Sequence, residues 1–202
     1  MISSNILLLS IVVVVVVQSS SVTLNTVGKC LGDLTTQELA GSYNYLQLSS
    51  KLGTTNAYPG FSSLFIKLSE DDASKAHDIV KFLALRKIKL DRLVNGKGVS
   101  IRDEIKNANT IDLSLKEARH QNTNALKIVQ RCHQDANNIN EANIQDYLES
   151  HLLEYHIKID KLLEDFQHRL DDAEAVDKEL TIFMLDEELL NTYGDQRKDI
   201  FA

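Results

Sequence analysis

The longest stretch of the chain without a glycine or a proline runs from residue 99 to residue 193. The only proline is Pro59, and the last glycine before this stretch is Gly98. An all-β chain of 202 residues needs many turns, and turns favour these two residue types. A long segment that lacks both favours long helices. We therefore predict an all-α protein.

The composition narrows the class of protein further. The chain is 43% hydrophobic and 25% charged, as expected for a globular domain that can bury a core. Its formal net charge is −7, whereas a broad nucleic-acid-binding surface is basic, so we expect no nucleic-acid partner. Two cysteines are too few for a disulfide-dense scaffold or a four-cysteine zinc site.

An apolar run opens the chain, from Ile6 to Val17, and small polar residues follow it up to Ser21. Twelve residues are too short to span a membrane, and this layout is typical of a signal peptide, although no Lys or Arg precedes the run. We predict a signal peptide over residues 1–21, a domain over 22–202, and secretion or residence in the secretory lumen, with no membrane contact after cleavage. A buried strand or a membrane anchor are the alternatives. In an oxidising compartment Cys30 and Cys132 could pair with each other or with a partner chain.

Periodic apolar residues predict helices over about 34–51, 59–88, 112–135, 141–172 and 174–191, with a long crossover over 89–111. Thr35 or Thr36 could cap the first helix, and Leu39, Tyr43 and Leu46 form its apolar stripe. Three early glycines predict that this helix is short or frayed. The expected architecture is a four-helix bundle with one long crossover and a short fifth helix.

Four segments, in chain order, carry a family resemblance. They are ELAGSYNYL from Glu38, PGFSSLFIKLSED from Pro59, DYLESHLLE from Asp146 and LTIFMLDE from Leu180. These segments resemble the first, second, fourth and fifth helices of ferritin subunits, in the style of secreted insect light chains. The resemblance implies the ferritin-like bundle and a shell of 24 subunits, formed with itself and with ferritin heavy chains. Such shells take in Fe(II) and store Fe(III) as mineral.

The resemblance also places the positions of the heavy-chain di-iron centre. They fall on Glu38, Tyr45, Asp72, Lys75, Arg119 and His156. Iron centres of this type use carboxylates and a Glu-x-x-His pair, so lysine and arginine at two positions predict an inactive, degenerate centre. Lys75 could pair with Glu38 where iron would lie. We therefore expect no enzyme activity, with ferroxidase activity supplied by a partner heavy chain.

Two acidic groups match other ferritin features. Glu70, Asp71 and Asp72 match the cavity surface where ferric mineral nucleates, and three successive carboxylates suit a hard cation. Asp146 and Glu149, three residues apart on one helix face, match the acidic lining of the three-fold pores for Fe(II) entry. A solvated acidic turn and a surface acidic pair are the alternative interpretations.

Two other functions stay open on the sequence. The first is a divergent ferroxidase that uses Glu38, Tyr45, Asp72, His77 and His156. The second is a secreted helical module that binds a partner or lipid and no iron. Four of the histidines, His77, His120, His133 and His168, are expected on exposed helix surface, and His156 either faces the bundle as a polar residue or keeps a metal contact.

Overall fold

The structure is a computed structural model that describes residues 2–54, 57–88, 99–174 and 176–195, with side chains from Thr26 onward. The regular elements of this part are helical, and no strand occurs in it, which confirms the all-α prediction. The helices are α1 (Ile2–Thr54), α2 (Pro59–Leu85), α3 (Asp103–Asn107), α4 (Ile111–Asn138), α5 (Ala142–Leu148), α6 (Glu154–Asp171) and α7 (Lys178–Tyr193). Within the residues described, no helix is long and apolar enough to cross a membrane.

The bundle is formed by four helices, α1, α2, α4 and α6, and the contacts between them show their relative directions. On α1 and α2, Ser42 meets Ser69 and Ser49 meets Ser62, so these two helices are antiparallel. By the same logic α1 is antiparallel to α4, and α6 is antiparallel to both α2 and α4. Helices α2 and α4 therefore point the same way, and the chain between them must travel the length of the bundle. Residues 89–98 of the predicted crossover lie outside the described part.

The predicted start of the first helix is wrong. Helix α1 runs from Ile2 to Thr54, and the expected caps lie inside it. The hydroxyl of Thr35 donates to the carbonyl of Leu31 at 2.8 Å, and that of Thr36 donates to Gly32 at 3.0 Å, the bonds of mid-helix threonines. The predicted apolar stripe is also wrong in part, because Tyr43 and Leu46 are about half exposed.

Gly41 shows why α1 tolerates a glycine. A Cβ atom at Gly41 would overlap Oδ2 of Asp72 and lie 3.1 Å from Nε2 of Gln121. The missing side chain therefore lets a carboxylate of α2 approach the backbone of α1. Packing between helices compensates for the low helix propensity of glycine at this position.

The buried residues of the bundle are arranged in three layers. One apolar core lies at the end of the bundle that α3 and α7 cover. It contains Tyr45, Leu48, Phe61, Phe65, Leu115, Leu163 and Leu185 among others. A second lies at the opposite end and contains Val27, Leu31, Ile79, Val129, Ile144 and Leu148 among others. Between them lies a polar layer of buried residues: Glu38, Asn44, Asp72, Gln121, Asn122 and His156.

A disulfide joins Cys30 on α1 to Cys132 on α4, so the two cysteines pair with each other. Their Cα atoms are 5.5 Å apart and they are 102 residues apart in sequence. Both lie in the second apolar core. The disulfide therefore links the first and third long helices at the end of the bundle farthest from α7.

The fourth long helix is interrupted by a π-helical turn. Helix α5 continues through a π turn over Glu149–Leu153 directly into α6, all with right-handed helical backbone angles. A π turn accommodates one more residue than an α turn, and such turns are frequent at functional sites. Here it lies just before His156, a side chain of the polar layer, and Tyr155, whose hydroxyl contacts Asp72 of that layer.

Helix α7 packs against α2 through a buried carboxylate. Oδ1 of Asp186 accepts a hydrogen bond from the backbone N–H of Phe61, in the first turn of α2, at 2.9 Å. The side chain of the N-cap residue Tyr58 makes no capping hydrogen bond, so Asp186 caps this helix from α7. Gly60 allows the contact, because a Cβ there would overlap the carbonyl oxygen of Asp186. Helix α7 begins at Lys178, four residues later than predicted, and its outer face exposes Leu180, Phe183 and Met184.

Candidate functional site

The polar layer brings together a carboxylate, an imidazole and an amide from three helices. Nε2 of His156 on α6 lies 3.0 Å from Oε1 of Glu38 on α1. Nδ1 of His156 lies 2.9 Å from Oδ1 of Asn122 on α4. The side-chain amide of Asn122 also donates to the backbone carbonyl of His156 at 2.8 Å. All three side chains are almost fully buried.

These contacts fix the protons of the imidazole. The carbonyl of His156 only accepts, so the NH2 group of Asn122 must face it and its oxygen must face Nδ1. Nδ1 therefore carries a proton. Nε2 and Oε1 of Glu38 cannot both be bare acceptors at 3.0 Å, so one proton lies between them. Both ring nitrogens are consequently engaged, and a metal ion would have to displace the proton at Nε2.

A second carboxylate lies beside this set. Asp72 on α2 is buried, and its Oδ1 accepts a hydrogen bond from the hydroxyl of Tyr155 at 3.1 Å. Burial, followed by the nearby charge of Glu38, raises the pKa of Asp72 well above its ordinary value of 3.8, against the opposing hydrogen bond from Tyr155. Burial beside a second carboxyl group therefore favours the neutral acid of Asp72.

Tyr45 lies on the same side of the bundle as these acids. Its hydroxyl donates to the carbonyl of Ala118 at 3.3 Å, and its ring stacks near Phe65. Burial, and then the charges of Asp72 and Glu38, raise its pKa well above 10.0, so the phenol stays protonated. Oε2 of Glu38 is buried and has no hydrogen-bond partner in the described part of the chain.

Of the two cations expected in the centre, Arg119 lies elsewhere, whereas Lys75 lies beside Tyr155 and close enough to Asp72 for its charge to oppose the rise in the pKa of that carboxyl. The expected pairing of Lys75 with Glu38 is wrong. Nζ of Lys75 lies 5.0 Å from the centroid of the Tyr155 ring, a cation–π contact, and Glu38 pairs with His156 and not with Lys75. Arg119 lies on the α4–α6 surface. Its guanidinium contacts Asp160 at 3.2 Å and Glu164 at 2.6 Å.

The α4 residue that contacts His156 is Asn122, three residues after Arg119. Matching without a gap missed it as a site residue. The helical stripe that contains Leu115 and Ala118 continues at Asn122, and this periodicity was the available signal. Tyr155 was missed as well, because the π turn shifts the helix register just before it.

Four other histidines were expected on exposed helix surface; three of them are exposed and one is half exposed. His77, His120 and His168 are exposed, so His77 does not reach the polar layer as the ferroxidase alternative requires. His133 is half exposed, and its Nε2 lies 2.6 Å from Oε1 of Glu149. The structure therefore places His156 alone among the histidines in the interior of the bundle.

The predicted nucleation cluster does not share one face. Glu70 is exposed, Asp71 is half exposed and pairs with Lys67 at 2.6 Å, and Asp72 points into the bundle. The expectation of three carboxylates on one surface is thus wrong, and Glu70 and Asp71 are the two that face outward.

The predicted pore pair lies on the surface near the π turn. Asp146 and Glu149 are both exposed, and Glu149 contacts His133 as described. Two outward carboxylates one helical turn apart attract cations by charge, an effect that salt screens.

The chemical capacity of the interior set is limited by its hydrogen bonds. His156 is held by Glu38 and Asn122, and Asp72 accepts from Tyr155, while Oε2 of Glu38 has no partner in the described part of the chain. Among the described residues no three or more His, Cys, Asp or Glu side chains are grouped to hold one metal ion. A buried polar layer of this kind is costly, because apolar side chains would fill the same space without desolvated charge. No known protein-family model matches this chain, and no curated protein sequence does so either.

Proposed function

We propose that this chain is a light-chain-like subunit of a secreted, ferritin-type shell that stores ferric iron and does not itself oxidise Fe(II). In this proposal it assembles with copies of itself and with heavy chains into a 24-subunit shell. Fe(II) enters past Asp146 and Glu149, the heavy chain oxidises it, and Glu70 and Asp71 help the Fe(III) mineral to nucleate.

The observation that carries the proposal is the polar layer. Glu38, Asp72 and His156 face one another inside a bundle whose second and third long helices are parallel. Sequence resemblance to ferritins assigned these same residues to di-iron positions. Asn122 replaces a carboxylate there and engages Nδ1 of the imidazole, which supports a centre that has exchanged iron ligation for internal hydrogen bonds.

Exposed apolar faces support assembly. Tyr43 and Leu46 on α1, and Phe183 on α7, are 53%, 51% and 60% exposed. A single chain gains nothing from apolar side chains in water, whereas a multi-subunit shell would cover them. The Cys30–Cys132 disulfide supports the secretory part of the proposal, since disulfides persist mainly in oxidising compartments.

The test is Fe(II) oxidation by the chain alone, expressed through a secretory pathway, together with its native mass by light scattering. We expect a particle of many subunits and an oxidation rate equal to that of a buffer blank. We also expect iron loading to appear when a heavy chain is co-expressed. A monomeric or dimeric particle would contradict the storage proposal.

A divergent ferroxidase is the second candidate, and the unpartnered buried Oε2 of Glu38 is the observation that favours it. In that case oxidation is fast and saturable, Glu38→Gln abolishes it, and the exposed control Glu70→Gln leaves it unchanged. Equal loss in both variants would point to nucleation on the surface as the source of the signal.

A further inference from the structure

The start of α3, at the end of the crossover, is held against two long helices by Arg102. Its guanidinium Nη2 donates to Oε2 of Glu117 and to Nδ1 of His120 on α4, each at 3.0 Å. Its backbone N–H donates to Oδ1 of Asn44 on α1 at 3.2 Å. One residue thus joins the crossover to both helices beside it.

The contact with His120 constrains the protonation of its ring. A guanidinium has only donors, so Nδ1 of His120 must accept, and only a neutral imidazole with its lone pair on Nδ1 does so. A protonated imidazole has donors on both nitrogens. The hydrogen bond from Arg102 and a proton on Nδ1 therefore exclude each other. Histidine is the side chain that ordinarily changes charge between about pH 5 and pH 8.

Acid also changes the partner that His120 prefers. Oε2 of Glu117 lies 3.9 Å from Nδ1 of His120, so a protonated ring can take this carboxylate in place of Arg102. Arg102 retains Glu104 at 3.5 Å, a residue in its own segment whose side chain is 61% exposed. The charged groups around His120 are thus Arg102 and Glu104 from the crossover and Glu117 from α4, with Lys116 one turn earlier on α4; α1 contributes the neutral Asn44.

The other end of α3 is held by a contact that does not change over this pH range. The ammonium group of Lys51 on α1 donates to the carbonyls of Ile105, Lys106 and Ala108 and to Oδ1 of Asn109. The acceptors of this contact are carbonyl oxygens, which do not titrate. Acid therefore acts on the start of α3 and leaves its end anchored.

We propose that His120 is a protonation-sensitive latch: its neutral ring fastens the start of α3 to α4 by accepting from Arg102, and a proton on Nδ1 releases that contact. A cleft of about 380 Å³ already lies between α3 and α4, lined by Asp103, Glu104, Leu113 and Glu117 among others, and release would widen it. The latch depends on neither iron nor assembly, so it stands or falls independently of the proposed function.

Hydrogen exchange of the backbone amides of residues 101–107 tests the latch in the full chain. After correction for the pH dependence of intrinsic exchange, we expect protection of this segment to fall about threefold to tenfold between pH 7.5 and pH 5.5, the range for losing one hydrogen bond. Amides in the middle of α4 should keep their protection.

Three variants decide whether His120 is the cause. His120→Gln offers an amide oxygen to Arg102 at every pH, so its protection should be the same at both pH values. The matched control His77→Gln, an exposed histidine on α2, should keep the full acid response. Arg102→Gln should show low protection at both pH values. Unchanged protection in the native chain, or a full acid response in His120→Gln, would overturn the proposal.

Discussion

Phe61 and Glu38 are both fully buried in the same bundle, yet their burial has opposite energetic consequences. Phe61 packs edge-to-face against Phe166, with ring centroids 6.4 Å apart, in a core that gains free energy by leaving water. Glu38 loses its hydration and recovers one contact, with His156, while its second oxygen has none in the described part of the chain. The apolar cores therefore hold the bundle together, and the polar layer between them is retained at a cost.

The largest loss of stability is expected from a substitution in the apolar core. Phe61→Ala removes a fully buried ring and leaves a cavity, so the free energy of unfolding should fall by about 3–5 kcal/mol. Urea unfolding measures it. Leu180→Ala, on the exposed face of α7, is the matched control and should change stability by less than about 0.5 kcal/mol. Similar losses in both variants would mean that this core is not the main source of stability.

The second core should depend on its disulfide. The double variant Cys30→Ala/Cys132→Ala opens a covalent loop over a separation of 102 residues and should lower the free energy of unfolding by about 2–4 kcal/mol. Unfolding of the native chain with and without a reductant gives an independent measurement. A double variant as stable as the native chain would show that packing alone secures this end.

A smaller effect separates hydrogen bonding from charge in the polar layer. Glu38→Leu leaves Nε2 of His156 without a partner and should cost about 1–3 kcal/mol. Glu38→Gln should cost less, because its amide N–H donates to the same nitrogen once the shared proton is gone. Equal losses in the two variants, measured by urea unfolding at pH 7, would show that the contact contributes no hydrogen bond.

The smallest expected effect is a gain in stability and not a loss. Since the pKa of Asp72 is raised in the folded chain, the native state binds more protons than the unfolded state, and stability falls as the pH rises above about 3.8. Asp72→Asn keeps the oxygen that accepts from Tyr155 and should raise the free energy of unfolding on the order of 1 kcal/mol at pH 7. The gain should vanish near pH 4. A loss at pH 7 would mean that the carboxylate is stabilising.

Much of the bundle was predictable because local chemistry and packing agree. The long segment without glycine or proline is helical, and α4 ends at Asn138, just before Asn140 adopts a φ of 55°. The extension of α1 before residue 34 was not predictable from propensity, because Gly28 lies where the side chain of Ile88 approaches closely, and that contact is invisible in one sequence.

For the polar layer, the sequence indicated several of the buried residues but not the contacts between them. The family resemblance, and not helix periodicity, assigned Glu38, Asp72 and His156 to positions inside the bundle, and all three side chains are buried. The resemblance matched the third-helix position to Arg119, whereas the α4 side chain that contacts His156 is that of Asn122. Three residues leave two side chains about 60° apart around a helix, enough to separate buried Asn122 from half-buried Arg119, and a single sequence offers no contact to correct the assignment.

The π turn over Glu149–Leu153 has a consequence for how this chain can change over time. In a regular helix, losing one residue rotates everything beyond it by about 100° and turns buried side chains towards water. A π turn already holds one residue beyond the α-helical repeat. A deletion inside it would convert the turn to a regular one and leave Leu148 and His156 on their present faces. Natural length variation in this helix is therefore tolerable at the π turn.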